Sequence, residues 1–131
     1  IEVAAFGDHS MALKRDGTAV VWGPDSYFST LGTQLGDQLV AIALGDRLAL
    51  GLRANGSVVV TPGAISLGQS AQSGITAIAA GYGFGLGLKT DGSVVVWGGS
   101  STVSEVPAAA QSGVIAIAAG SYHALALRAD G

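Results

Sequence analysis

The sequence has no cysteine and few charged residues, and both shortages exclude classes of function. Without a thiol there is no disulfide, no thiolate zinc site and no cysteine nucleophile. The six lysines and arginines are scattered, whereas nucleic-acid binding normally needs a cluster of them, so no nucleic-acid partner is expected. The longest uncharged apolar stretch, residues 75–88, is interrupted by glycines and is too short to cross a membrane.

Glycine and apolar residues are abundant. Of the 131 residues, 49% are hydrophobic and 11% are charged, a composition that favours a folded core over disorder. The length predicts a single domain over residues 1–131. The 21 glycines exceed the usual share of about 7% and recur at long intervals, which indicates repeated turns.

Four stretches of the chain align with one another and define a repeat. They are VAAFGDHSMALKRDG, AIALGDRLALGLRANG, AIAAGYGFGLGLKTDG and AIAAGSYHALALRADG. Their terminal glycines, Gly17, Gly56, Gly92 and Gly131, follow one another at steps of 39, 36 and 39 residues. The pattern predicts repeats at about 1–39, 40–74 and 75–113 and a partial repeat at 114–131.

Each repeat is predicted to contain a strand, a tight loop, a second strand, a hairpin turn and a third strand. Asp-Gly or Asn-Gly pairs, such as Asn55-Gly56, predict two-residue hairpins in which both residues have positive φ. The second strand alternates small and large residues, with Ala49 and Gly51 on one face and Leu50 and Leu52 on the other. Such strands can be covered on both faces, which is typical of blades stacked around an axis.

The consensus AIAAGxxHxLALKxDGxVxxWG that these copies form resembles the repeat of the regulator of chromosome condensation family. The resemblance implies an all-β fold of four-stranded β-propeller blades, typically seven, of which the chain holds about three and a half. Closed propellers have about four to eight blades. We therefore expect part of a larger propeller, a ring or fibre completed by other copies, or a fragment that folds only with a partner.

A narrower similarity is carried by EVPAAAQSGVIAIAAGSYHALAL, which is similar to repeats of the secreted bacterial β-lactamase inhibitor proteins of type II. It implies a bacterial protein in a secreted or extracytoplasmic location. It also implies that loops between AAG and the next strand contact a partner, with class A β-lactamases as the implied target. Those loop positions here are Asp8, Arg47, Gly83 and Tyr122; one of the four is aromatic, and Tyr82 lies one residue away.

No set of residues predicts a catalytic centre, a metal site or a cofactor site. His9 and His123 occupy equivalent positions of two repeats, where the other copies have Leu48 and Phe84, so structural histidines are expected. The acidic residues of the Asp-Gly pairs are expected to form turns, because whole repeats separate them. They are Asp16, Asp91 and Asp130. We therefore predict a protein that is not an enzyme.

The leading hypothesis is a protein-binding or scaffold module that displays loops on one face of the propeller. The predicted contact residues are Asp8, Asp46, Arg47, Tyr82 and Tyr122, with Tyr27 and Phe28 from a longer connection. The alternatives are a structural repeat protein that assembles into a surface fibre, adhesin or oligomeric ring, and a β-lactamase inhibitor-like protein. Trp22 and Trp97 are predicted to pack between blades.

Overall fold

A computed structural model describes residues 1–24, 28–99 and 103–131. It contains eleven named strands in the described residues. They are β1 (Glu2–Phe6), β2 (His9–Leu13), β3 (Ala19–Trp22), β4 (Leu39–Gly45), β5 (Leu48–Arg53), β6 (Val58–Val60), β7 (Ile75–Ala80), β8 (Phe84–Lys89), β9 (Val94–Gly98), β10 (Val114–Ala119) and β11 (Ala124–Arg128). One turn of α-helix, α1 (Leu31–Gln34), and the 3-10 turns Phe28–Thr30, Gln69–Ala71 and Ala108–Ala110 lie in the connections between sheets.

The strands form four small sheets, here called blades 1 to 4, and within each sheet consecutive strands pair antiparallel. Blades 1, 2 and 3 have three strands each, in the orders β1-β2-β3, β4-β5-β6 and β7-β8-β9, and blade 4 is the pair β10-β11. The first strands of neighbouring blades pack beside one another, β1 with β4, β4 with β7 and β7 with β10. The blades therefore stand in a row with their first strands adjacent, which confirms the predicted all-β arrangement of propeller blades.

The hairpins between second and third strands reverse where predicted, but their loops have three residues instead of two. In blade 1 the Gly17 N–H donates to the Lys14 carbonyl at 3.1 Å, and the Lys14 N–H donates to the Thr18 carbonyl at 2.9 Å. Gly17 has a φ of +79°, whereas the positive-φ residues other than glycine in the described chain are Gln38 and Arg47. The loop is therefore a turn followed by a glycine bulge, and the prediction of positive φ at Asp16 was wrong.

In blades 1 and 3 the aspartate of the hairpin loop binds the residue two positions on. One carboxylate oxygen of Asp16 accepts hydrogen bonds from the Thr18 N–H at 3.0 Å and the Thr18 hydroxyl at 2.6 Å. Asp91 makes the same pair of bonds with Ser93. The hydroxyl bonds, followed by the backbone bonds, hold the pKa values of both carboxyls below their usual range. These aspartates therefore act as turn groups, as predicted.

The same loops join each blade to the next. The Gly17 carbonyl accepts a hydrogen bond from the Leu39 N–H at 2.9 Å, and the Gly56 carbonyl accepts one from Ile75 at 3.1 Å. The Gly92 carbonyl likewise accepts a hydrogen bond from the Val114 N–H at 3.0 Å. In each case the acceptor ends one hairpin and the donor lies at the start of the following blade.

The large-residue face of the second strand is core in blades 1 to 3. Leu50 and Leu86 are fully buried between blades, as the alternation predicted. The equivalent Leu125 on β11 is 62% exposed and Leu127 is 52% exposed. For these two residues the prediction of core was wrong, because no blade within the described residues covers that face of blade 4.

The two tryptophans also differ in how far they are buried. Trp97 is buried in a cluster with Leu50 of blade 2 and Ala71 of the connection that follows it, and its indole N–H donates to the Ser70 hydroxyl at 2.8 Å. It packs between blades, as predicted. Trp22 is 52% exposed, so the prediction was wrong there. The small-residue face of blade 1 has no blade against it in the described part of the chain.

Candidate protein-binding surface

The turns between the first and second strands of the four blades lie in neighbouring positions. We call them together the turn surface; it comprises residues 7–8, 46–47, 81–83 and 120–123. Four of the predicted contact residues, Asp46, Arg47, Tyr82 and Tyr122, lie in the adjoining turns of blades 2, 3 and 4. Asp8 is exposed in the turn of blade 1, whose first strand packs beside β4.

Backbone hydrogen bonds hold three of these turns together. The Asp46 N–H donates to the Gly81 carbonyl at 3.2 Å, and the Tyr82 N–H donates to the Ser121 carbonyl at 2.9 Å. The glycine that ends the first-strand run of each blade, such as Gly45 or Gly81, allows this approach. A Cβ at Gly45 would overlap the carbonyl oxygen of Gly81. At Gly45 the neighbouring backbone occupies the space, whereas at Gly81 both the Gly120 carbonyl and the Phe84 ring occupy it, and at Gly120 the His123 ring does.

The most exposed aromatic side chains of the turn surface form a pair. The ring centroids of Tyr82 and Tyr122 lie 5.3 Å apart, with 38° between the ring planes, a separation typical of favourable aromatic contacts. Tyr82 is 51% exposed and Tyr122 is 70% exposed. The pair thus presents a double ring to solvent on a backbone that hydrogen bonds already hold in place.

Charged groups adjoin the aromatic pair. Asp46 is half-buried, and Arg47 is exposed with a φ of +51°. Gly83 occupies the equivalent second position of the blade 3 turn, with a φ of +68°. The turn surface therefore combines a double aromatic ring with two carboxylates, of Asp8 and Asp46, and one guanidinium.

Phe28, from the longer connection, is not part of this surface. Phe28 begins a 3-10 turn that packs beside β3, and it lies outside the four turns. Tyr27 lies outside the described residues. Both stay predictions as contact residues.

Sequence reasoning missed the part played by Ser121. Its carbonyl accepts the hydrogen bond of the Tyr82 N–H. This bond holds Tyr82 beside Tyr122, the residue that follows Ser121. Aligning each residue after the AAG glycine across copies, Asp46 with Tyr82 and Ser121, is the signal that could have found it.

Within the described ranges, no group of three or more acidic, histidine or cysteine residues is placed to hold a metal ion. In the same ranges no helix is long and apolar enough to cross a membrane.

Sheets of three antiparallel strands, set side by side through their first strands, define a segment of a β-propeller, and solved structures agree. The CRINKLY WD40 ectodomain of the Arabidopsis thaliana receptor kinase ACR4 matches 95% of this chain and 45% of its own, at 20% identity and a TM-score of 0.75. Yeast RCC1 (Prp20), solved with Kap60 bound to it, matches 99% of this chain and 40% of its own, at 21% identity and a TM-score of 0.67. A second structure of Prp20p from Saccharomyces cerevisiae matches 99% and 43%, at 16% identity and a TM-score of 0.70.

The chain spans less than half the length of these propellers. No curated protein sequence matches it. Residues 75–102 match the family model described as the regulator of chromosome condensation (RCC1) repeat. That segment of the protein therefore resembles the regulator of chromosome condensation repeat, as the consensus predicted.

Proposed function

We propose that the turn surface binds a protein partner, with Tyr82 and Tyr122 as its anchors. The observation that carries the proposal is the exposed pair of rings 5.3 Å apart on turns joined by backbone hydrogen bonds. Tyrosine supplies a large contact area with only two side-chain torsions to immobilise, and it is enriched among the residues that dominate binding energy.

The scaffold beneath the pair favours binding without rearrangement. Asp46 and Tyr82 form a backbone bridge between blades 2 and 3, and Tyr82 is bonded in turn to blade 4. Loops held by a rigid sheet are the usual location of binding residues, and preorganised surfaces change little when a partner docks. The charged groups of Asp8, Asp46 and Arg47 would then form a polar rim that orients the partner.

One similar protein, yeast Prp20, supports protein binding as a use of this fold. The yeast relative is solved with Kap60, and the second structure of Prp20p is described with its binding to Gsp1p and histones. These partners belong to those proteins. What we transfer is the class of function, a non-catalytic surface that recognises another protein.

The narrower similarity extends this proposal to a bacterial, secreted protein, with class A β-lactamases as one target to assay. Among the four loop positions that it implies, Asp8 and Arg47 are charged and Gly83 has no side chain, which weighs against that target. Assembly into a fibre, adhesin or ring would use the exposed faces of blades 1 and 4 instead of the turn surface, so the two uses do not compete.

A displayed random-peptide library panned on the immobilised protein tests the proposal, with selected peptides measured individually. Combining Tyr82→Ala with Tyr122→Ala should weaken their binding by about thirtyfold or more, since loss of an anchor costs about 2 kcal/mol. Changing both tyrosines to Phe keeps the rings and should preserve most of the affinity. Val40→Ser, on an exposed part of β4, is the control and should bind as the unaltered protein does.

Selected peptides that bind the double alanine variant as tightly as the unaltered protein would contradict the proposal. So would a library from which no peptide is enriched. A purified class A β-lactamase, tested for inhibition beside the peptides, decides whether the narrower target applies.

A further inference from the structure

The hairpin loop of blade 2 differs from those of the other blades in one residue. Asn55 stands where blades 1, 3 and 4 have an aspartate, and it is the only asparagine of the sequence. Its side chain is exposed, and Gly56 follows it. An asparagine before a glycine cyclises more readily than before other residues, because glycine has no side chain to hinder the approach of its own backbone nitrogen. The loop therefore contains a candidate site of covalent change.

The reaction needs no reactant other than water. The backbone nitrogen of Gly56 loses its proton to solvent and attacks Cγ of Asn55, so that a new bond forms between that nitrogen and Cγ. The bond between Cγ and the side-chain nitrogen breaks, and this nitrogen takes a proton from water and leaves as ammonia. Water then opens the five-membered imide at one of its two carbonyl carbons. One opening gives aspartate at position 55, and the other gives isoaspartate, in which the main chain runs through the side-chain carbonyl.

Two hydrogen bonds of the folded loop end on the atom where charge develops. Oδ1 of Asn55 accepts the Ser57 N–H at 3.0 Å and the Ser57 hydroxyl at 2.7 Å. In the tetrahedral intermediate that precedes loss of ammonia, this oxygen carries the negative charge, and donors already in place stabilise such an oxyanion. The geometry of the turn therefore favours the first step of the reaction.

A third hydrogen bond opposes the reaction. The Gly56 N–H donates to the Arg53 carbonyl at 2.9 Å, and it must leave this acceptor before it can lose its proton. Ala54 and Asn55 at the tip of the loop are exposed, so this bond can open without moving the core. The bond from the Arg53 N–H to the Ser57 carbonyl, at 2.9 Å, holds the strands together beneath it. We therefore expect the attack to need the opening of one turn bond and not the unfolding of the blade.

We propose that Asn55 is a site of spontaneous deamidation in the folded protein, and that its two products have opposite effects on the junction between blades 2 and 3. Each product adds one negative charge to the hairpin loop. The loop lies at the other end of the strands from the turn surface, so this proposal does not rest on the proposed function.

The aspartate product fits the loop as it stands. In blade 1, Asp16 accepts hydrogen bonds from the N–H and the hydroxyl of Thr18, which is the same pair of bonds that Asn55 accepts from Ser57. A carboxylate accepts such bonds more strongly than an amide oxygen does. The aspartate product should therefore keep the loop and its contacts unchanged.

An ion pair would be completed at the same time. In blades 1 and 4 the basic residue two positions before the aspartate pairs with it, Lys14 with Asp16 at 3.6 Å and Arg128 with Asp130 at 3.0 Å. Arg53 has the corresponding position in blade 2, where it precedes an uncharged amide. Such exposed pairs add little stability, so the gain is one of charge pairing rather than of folding energy.

The isoaspartate product lengthens the main chain by one methylene group immediately before Gly56. The Gly56 carbonyl accepts the Ile75 N–H at 3.1 Å, and a Cβ on Gly56 would lie 2.7 Å from the backbone nitrogen of Gly74. This glycine is therefore held closely against the start of blade 3. A longer chain displaces it, so the hydrogen bond that joins the two blades is lost.

The test follows the intact mass of the 131-residue protein during incubation at mildly alkaline pH. We expect a gain of one mass unit, faster as the pH rises because the attacking nitrogen must lose its proton. Trypsin cuts after Arg53 and Lys89, so the gain should fall on the peptide of residues 54–89, and fragmentation should place it at Asn55. Asn55→Gln should abolish the gain, since its longer side chain would have to close a less favourable six-membered ring.

Ser57→Ala tests the part played by the folded loop. It removes the hydroxyl that donates to Oδ1 of Asn55, and it should slow the reaction severalfold in the protein but not in a capped peptide of residues 53–58. Ser93→Ala removes the equivalent hydroxyl of blade 3 and is the matched control. It should leave the rate at Asn55 unchanged.

The two products, separated by chromatography, are then unfolded in urea. The aspartate product and the Asn55→Asp variant should unfold at the same urea concentration as the unaltered protein or at a higher one. The isoaspartate product should unfold at a lower concentration, because it loses the bond between Gly56 and Ile75.

A folded protein that keeps its mass while the peptide loses ammonia would overturn the proposal, as would a mass gain located at a glutamine. Equal rates in the Ser57→Ala variant and the unaltered protein would show that the reaction takes place in unfolded molecules, which also contradicts it. An isoaspartate product as stable as the unaltered protein would refute the effect on the junction. None of these outcomes alters the binding of peptides to Tyr82 and Tyr122, so the two proposals fail separately.

Discussion

At the hairpin loop of blade 2, Gly56 has a φ of +79°, and a Cβ there would lie 2.7 Å from the backbone nitrogen of Gly74. Gly63 has nearly the same φ, +78°, but a Cβ there would have no atom within 4 Å. The two positions therefore share the cost of a left-handed backbone and differ in the close approach of a neighbouring chain.

Replacing each glycine by alanine separates these effects. We expect Gly63→Ala to lower the free energy of unfolding by about 1 kcal/mol, the cost of a left-handed conformation for an ordinary residue. Gly56→Ala should lower it by about 2–4 kcal/mol, because backbone displacement adds about 1–3 kcal/mol. Urea titration measures both, and equal losses would show that the contact with Gly74 is unimportant.

The Asp-Gly and Asn-Gly pairs predicted where these hairpin turns lie, but not the number of residues in their loops. Asp-Gly is compatible with both two-residue and three-residue hairpins, and here the carboxylate of Asp16 binds Thr18, which favours the longer loop. The contact between Tyr82 and Tyr122 could not be predicted in the same way. It depends on a hydrogen bond between neighbouring blades, and the two tyrosines occupy different positions of the repeat.

Among the elements, the second strands show how the same sequence pattern leads to different environments. Leu50 on β5 and Leu125 on β11 occupy equivalent positions of the repeat. Leu50 is fully buried against the next blade, whereas Leu125 is largely exposed. The strand is alike in both, and the neighbouring blade determines whether its leucine face is core.

Truncating the two leucines should therefore have very different effects. Leu50→Ala removes a buried side chain and leaves a cavity, so the free energy of unfolding should fall by about 2–5 kcal/mol. Leu125→Ala should change it by no more than about 0.5 kcal/mol, as for other exposed positions. Denaturant unfolding of both variants checks this, and a comparable loss at Leu125 would mean that its face is covered in solution.

The strands were predictable from the sequence because alternation and glycine punctuation recur in every copy. The short helical elements, such as α1 (Leu31–Gln34), were not. α1 lies in a connection whose sequence differs from those of the other repeats, so no pattern recurs there to indicate a helix. The 3-10 turns Gln69–Ala71 and Ala108–Ala110 do recur at equivalent positions, but three residues are too few to show a helical period. Leu31 is nevertheless fully buried in the cluster of blade 1, which explains why a helical turn packs there.

Across the whole molecule, burial falls from the middle blades to blade 4. Every residue of β5 except Arg53 is buried, while every residue of β11 is exposed. In a row of blades each unit is stabilised mainly by its neighbours. The row should therefore open locally from blade 4.

Hydrogen exchange should reveal this gradient. Backbone amides of β5 and β8, which pair on both sides, should be the most protected, and amides of β11 the least, because its outer edge is unpaired in the described chain. Exchange measured residue by residue by NMR or mass spectrometry gives the order. Protection of Leu125 equal to that of Leu50 would contradict it.

The link between successive blades has a consequence for how such proteins change length. Each hairpin glycine carbonyl accepts a hydrogen bond from an amide at the start of the following blade, and the same donor and acceptor recur at Gly17, Gly56 and Gly92. Duplicating or deleting one whole repeat in the gene would therefore keep the same hydrogen bond at every junction between blades. Copy number can drift in steps of a full unit, whereas an insertion that shifts a junction glycine would leave two polar groups without partners.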